Sequence, residues 1–120
     1  MNSVFGQVIR VAFPERKPKG HEQTGERPAL LIDDPSSHQK LESPMLVVVP
    51  ITTTTKHQGV LRVQLVAGEA NLSEACTILF DHITSVDASR VRGYYGKLEG
   101  DALEQSRAAL RIMTKNGLGE

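Results

Sequence analysis

A 120-residue chain with 39% apolar and 23% charged side chains has the composition of one globular domain, which excludes a disordered tail and a membrane-embedded chain. Its 14 basic and 14 acidic residues cancel, which argues against a general-purpose nucleic-acid coat protein with a basic excess. The charges are not evenly spread. Residues 1–28 carry five basic and three acidic groups and residues 90–120 carry six and four, each net +2, against three and seven between them. If the two ends meet in the fold, they form a local basic patch on a neutral protein.

In chain order, the start Met1–Gln7 lacks the basic opening and apolar run of a signal peptide, and nothing later reaches the length of a spanning helix. Gly6–Phe13 reads as a first strand, rich in β-branched residues and ended by Pro14. Residues 15–26 form a polar loop too long for a hairpin turn, and loops of that length are usually functional or mobile. Ala29–Ile32 is a short apolar strand closed by the turn-forming run Asp33-Asp34-Pro35. Met45–Ile51 is almost continuously apolar, the pattern of a central strand buried on both faces. Val60–Val66 alternates apolar and polar and is the clearest half-buried strand. Cys76–Phe80 and Ile83–Val86 predict a bent strand pair, with Asp81 and His82 at the bend. The lone Cys76 cannot form an internal disulfide and fits a reducing cytoplasm as a small buried hydrophobe. A helix over Asp101–Thr114 closes the chain, with a capping-box-like start at Asp101, an apolar face of Leu103, Leu110 and Met113, and a stop at Gly117. Short strands followed by one helix predict a mostly β fold, a small barrel of about five to seven strands.

The chemistry is concentrated at two strand ends. Arg27 stands where the polar loop gives way to an apolar strand, and Thr52 opens a four-threonine run after the central strand. A guanidinium is a planar fork that matches a phosphate bidentately and stays charged at any working pH. With a hydroxyl beside it, the pair reads as an oxyanion-binding site. Taken singly, Arg27 is an ordinary strand-end charge and Thr52 an ordinary strand former. The lone cysteine and four histidines have no zinc-type spacing, so the sequence implies no metal and no cofactor.

Four segments in order carry a resemblance. They are Gly6-Gln7-Val8, then Glu22-Gln23-x-Gly25-x-Arg27-Pro28, then Val49-Pro50-Ile51-Thr52, and Phe80-Asp81-His82-Ile83 with Val86-Asp87 and Arg90. Together they resemble the MazF/PemK-type toxins of bacterial toxin–antitoxin pairs. The resemblance implies an SH3-like barrel with a C-terminal helix, a homodimer, and metal-independent cutting of single-stranded RNA in the cytoplasm. It also implies a cognate antitoxin with an acidic, apolar tail. By the same likeness Arg27, Thr52 and Asp81 are the catalytic candidates, and His21, Glu22, Gln23, Thr53, Thr54 and His82 are the RNA-binding ones. The general base stays open among Asp81, His21, His57 and His82. Two positions depart from the family: His82 replaces a common glutamine, and Leu79 replaces an arginine that some members carry two residues before the acidic position. Two other readings stand beside the ribonuclease: a toxin of the same fold that poisons a protein target such as a DNA gyrase, and an inactive binding module.

Overall fold

The computed structural model describes residues 4–14, 25–40, 42, 44–54 and 58–120. Seven strands and one helix run in the order β1 (Gln7–Phe13), β2 (Gly25–Asp33), β3 (Met45–Thr52), β4 (Arg62–Leu65), β5 (Cys76–Leu79), β6 (Thr84–Asp87), β7 (Val91–Lys97) and α1 (Gly100–Gly117). All ladders are antiparallel, and the strands follow the order β4-β5-β3-β2-β1-β7, with β6 also on β3.

β3 organises the sheet. Along one edge it pairs with β2, from Asp33↔Val47 to Ala29↔Pro50. Along the other edge its first half pairs with β6 and its last two residues with β5. The 3-10 turn Phe80–His82 lies between those partners, so the expected bend at Asp81 and His82 is present. Five consecutive buried residues, Val48–Thr52, show that β3 is covered on both faces, as its unbroken apolar run requires. Alternation along the strand sends Val49 and Ile51 to one core and Val48 to another. The larger core includes Val8, Leu30, Ile78 and Phe80 and is closed by α1 through Ala102 and Ala109, with Leu103, Leu110 and Met113 at its edge. The smaller one is enclosed by β1, β2, β3 and β6 through Ile9, Val11, Phe13, Ala29, Leu31, Val48 and Val86. Among the described residues no helix is long and apolar enough to cross a membrane.

Four elements differ from the sequence reading. β2 begins at Gly25 rather than Ala29, because β1 supplies a partner for every residue back to Phe13↔Gly25. β7 was not legible as a strand, and β4 spans only four residues. The helix starts at Gly100, whose left-handed backbone (φ 59°) breaks away from the preceding extended chain. Its N-cap, Glu99, makes no side-chain cap bond, so the expected capping box at Asp101 does not form. Asp101 instead lies in the first turn, where a negative charge suits the helix dipole.

The ends of the strand order, β4 and β7, share no ladder. The segment following β4 bridges to β7 instead: the Asn71 side-chain amide donates to the Tyr95 carbonyl at 2.8 Å. This approach leaves no room for a side chain at Gly96. A Cβ there would lie 2.8 Å from Asn71 Nδ2 and 2.9 Å from the Ala70 carbonyl carbon and oxygen. Ala70 and Asn71 already adopt left-handed backbone (φ 50° and 62°) and cannot easily yield. Gly96→Ala should therefore cost about 1–3 kcal/mol, the usual range for overpacking. An unchanged urea midpoint would show that the bridge is looser than its distances indicate.

Candidate functional site

The site is built on the faces of β2 and β3 that point away from the helix-side core. Arg27 is in step with Ala29 and Leu31 on β2, and Thr52 with Val48 and Pro50 on β3. The β2–β3 register ends at Ala29↔Pro50. Carried on by two residues, that register sets Arg27 across from Thr52 on the same face. Past this point the strands keep different partners, Arg27 opposite Val11 of β1 and Thr52 opposite Thr77 of β5. Arg27 therefore lies inside a strand rather than at a loop junction, and it is half-buried. Thr52 is only 6% exposed, and its hydroxyl oxygen accepts the Thr54 N–H at 3.3 Å. That bond turns the Thr52 proton away from Thr54, where it can donate. Thr53 and Thr54 are exposed at the strand end.

A polar row continues from Thr52 across the sheet. Thr77 is its partner on β5, and Gln64 is the partner of Thr77 on β4. The Thr77 hydroxyl, wholly buried, donates to Gln64 Oε1 at 2.8 Å. One step along the same face lies Arg62, whose cross-strand partner is Leu79. Arg62 Nη2 meets Asp81 Oδ2 at 2.7 Å, and His82 Nε2 lies 3.9 Å from the same oxygen. Thr52, Gln64, Arg62 and Asp81 thus belong to one face of the β3–β5–β4 sheet and its bend.

Partial burial pushes the Asp81 carboxyl up, but the hydrogen bond and charge of Arg62 outweigh it and hold the group below the ordinary 3.8. Such a carboxylate is a weak proton acceptor near neutrality and a firm anchor for a guanidinium. The consequence for stability has a definite sign. The folded-state value lies below the unfolded one, so the contribution is complete above about pH 4. It is lost as pH falls through the depressed value. Asp81→Asn should flatten this part of the pH–stability curve, as measured by thermal midpoints between pH 2 and 6. An unchanged curve would mean the Arg62 pair contributes nothing in solution.

Of the other expected residues, His21, Glu22, Gln23 and His57 lie outside the described residues. Sequence reasoning missed Gln64, Thr77 and Arg62. The alternation of β4 was the available signal, since Arg62 and Gln64 are the polar positions of that strand. β1 lies against β7, which brings Arg10 beside Arg90 and Arg92, whereas Arg16, Lys17 and Lys19 of the basic N-terminal stretch lie outside the described residues. Arg10 donates to the Arg92 carbonyl at 3.0 Å and Arg90 to the Ala12 carbonyl at 3.5 Å, with Glu26 offsetting Arg10 at 3.2 Å. Cys76 is buried, and burial followed by the nearby Glu74 pushes its thiol up, which suits packing rather than nucleophilic chemistry.

Comparisons with known proteins agree with this architecture. The family described as PemK-like, MazF-like toxin of type II toxin–antitoxin system matches residues 5–114. A MazF crystal structure from Deinococcus radiodurans is similar at 27% identity and TM-score 0.67, covering 97% of this chain and 96% of that one. A MazE–MazF structure from the same organism is similar at 25% identity and TM-score 0.64, covering 91% and 92%. An endoribonuclease in complex with its cognate antitoxin from a mycobacterial species shares the fold at 18% identity and TM-score 0.62, covering 96% and 93%. A search of curated proteins finds no match.

Proposed function

The chain belongs to the PemK-like, MazF-like toxin family of type II toxin–antitoxin systems, and from that membership we propose that it is a metal-independent endoribonuclease acting on single-stranded RNA in the cytoplasm. The observation that supports this most is the β2–β3 register, which ends at Ala29↔Pro50 and, carried on by two residues, sets Arg27 of β2 and Thr52 of β3 on one face. In the reaction, a 2′-hydroxyl attacks the adjacent phosphorus and the bond to the 5′-oxygen breaks. The products carry a 2′,3′-cyclic phosphate and a 5′-hydroxyl. Negative charge grows on the non-bridging oxygens in the transition state, where preorganised donors are most effective. Arg27 supplies two donors and Thr52 a third. Guanidinium does not deprotonate in proteins, so Arg27 stabilises charge and moves no proton.

Asp81 acts by holding Arg62 and His82 at the edge of this face, while the base is drawn from the histidines. His21, Glu22, Gln23, Thr53, Thr54 and His82 are the candidates for RNA contact. Incubating the purified protein with a long RNA in EDTA, then mapping both new ends, tests the reading. Intact RNA, or 3′-hydroxyl ends, would overturn it.

The partner is an antitoxin whose tail is acidic and apolar, and the active form is a homodimer. An open groove of about 450 Å³ beside α1 suits such a tail: Phe5, Ile32 and Leu110 are apolar, and Arg107 and Arg111 are cationic. Expression without antitoxin should arrest growth, and normal growth would remove the need for one. Sedimentation at micromolar concentration should give twice the 13.1 kDa chain mass, and a monomer would refute the dimer.

A further inference from the structure

Arg62 is held more firmly than its place in the sheet requires. β4 ends the strand order, and a charge on such an edge commonly serves only to discourage a further strand from pairing, which it does best when solvated. Arg62 instead reaches past its cross-strand partner Leu79 to the turn after β5, where Nη2 donates to Asp81 Oδ2 at 2.7 Å. Its side chain is 19% exposed, against 41% for Asp81. An ion pair open to water at its carboxylate adds little to stability, and ordering a long side chain costs rotamer entropy. The pairing is also one-pronged. Among the described residues the guanidinium donates to that single oxygen, which leaves the rest of its five-donor fork for another acceptor.

We propose that Arg62 contacts a backbone phosphate of the RNA strand flanking the cut, and that Asp81 is its positioning residue. This rests on the ribonuclease reading above. Arg62 shares a face with Thr52: Thr52 opposes Thr77, and Thr77 and Leu79 of β5 oppose Gln64 and Arg62 of β4. With strands about 4.8 Å apart and a rise of about 3.3 Å per residue, the Arg62 and Thr52 backbones stand about 12 Å apart. The guanidinium therefore meets a different phosphate from the one at Arg27 and Thr52, further along the same strand. A planar guanidinium can hold a carboxylate on one edge and a phosphate on another. Although burial pushes it up, the Asp81 carboxyl lies below its ordinary 3.8 through Arg62, so it stays ionised and keeps its hold near neutrality.

The test measures binding to a pool of randomised single-stranded RNA oligonucleotides, 2′-O-methylated so that they cannot be cut. It compares the unaltered protein with Arg62→Met, Arg62→Lys, Asp81→Asn and the double variant Arg62→Met with Asp81→Asn, across salt concentrations and with thermal midpoints alongside. Arg62→Met keeps the apolar stem and removes the charge. It should weaken binding about tenfold and lower the salt slope by about 0.7, the value of one phosphate contact on a single strand. Arg62→Lys should retain the slope. Asp81→Asn should weaken binding by itself and add nothing in the Arg62→Met background, a coupling that a purely structural role would not produce. Unchanged affinity and slope in folded Arg62→Met protein would overturn the proposal, as would a lowered midpoint with the slope intact. Tighter binding by Asp81→Asn would overturn the role given to Asp81, since the carboxylate would then compete with the phosphate. An unaltered protein that binds no RNA in the pool overturns the ribonuclease reading itself, and the inference with it.

Discussion

Arg27→Ala should leave the fold intact and slow RNA cleavage by on the order of 10²–10³, or about 3–4 kcal/mol of transition-state stabilisation. The backbone of residue 27 remains in the ladder opposite Val11 whatever its side chain, and the half-buried guanidinium is not part of either apolar core. Arg27→Lys should be nearly as poor, because a point charge cannot reproduce the bidentate fork. Thr52 needs a different substitution. Its side chain is almost fully buried, so alanine would mix a packing loss with the chemical one. Thr52→Val keeps the volume and removes the hydroxyl, together with its bond from the Thr54 N–H. Single-turnover cleavage and thermal midpoints should then separate, with rate falling far more than stability. A folded Arg27→Ala protein that cuts RNA at a normal rate would refute the mechanism.

Phe80→Ala should be the most damaging core change, at about 3–5 kcal/mol. That is a large part of the 5–15 kcal/mol that a domain of this kind possesses. Phe80 is wholly buried in the larger core, and its N–H donates to the Leu61 carbonyl at 2.9 Å. It also begins the turn that carries Asp81 and His82, so it couples the core to the polar face. The ion pair between Asp81 and Arg62 should loosen in the same variant, and its acid-side contribution to stability should shrink. Tyr94→Ala is the matched control: Tyr94 is 62% exposed, and its loss should change stability by no more than about 0.5 kcal/mol. Urea midpoints that fail to separate the two variants would show that the bend is not anchored by its aromatic ring.

Much of this molecule follows from local sequence. The unbroken apolar run of β3, the alternation around β4 and the helical face of Leu103, Leu110 and Met113 each encode burial through their own period. The bend at Asp81 and His82 was legible for the same reason, as a polar break between apolar stretches. β7 was hidden because Gly93 and Gly96 weaken its pattern. It exists because β1 lies alongside it and because the backbone at Ala70 needs a residue without a side chain there. The start of β2 was obscured in the same way, since Gly25 and Pro28 read as loop until β1 provides partners. For the site, sequence pointed to the residue types at two strand ends, Arg27 and Thr52. Only the tertiary structure could align Thr52, Thr77 and Gln64 in one row or hold Asp81 against Arg62. Alternation is a property of one strand and can be read from neighbours in sequence, whereas register between strands is a long-range outcome of which faces the cores bury.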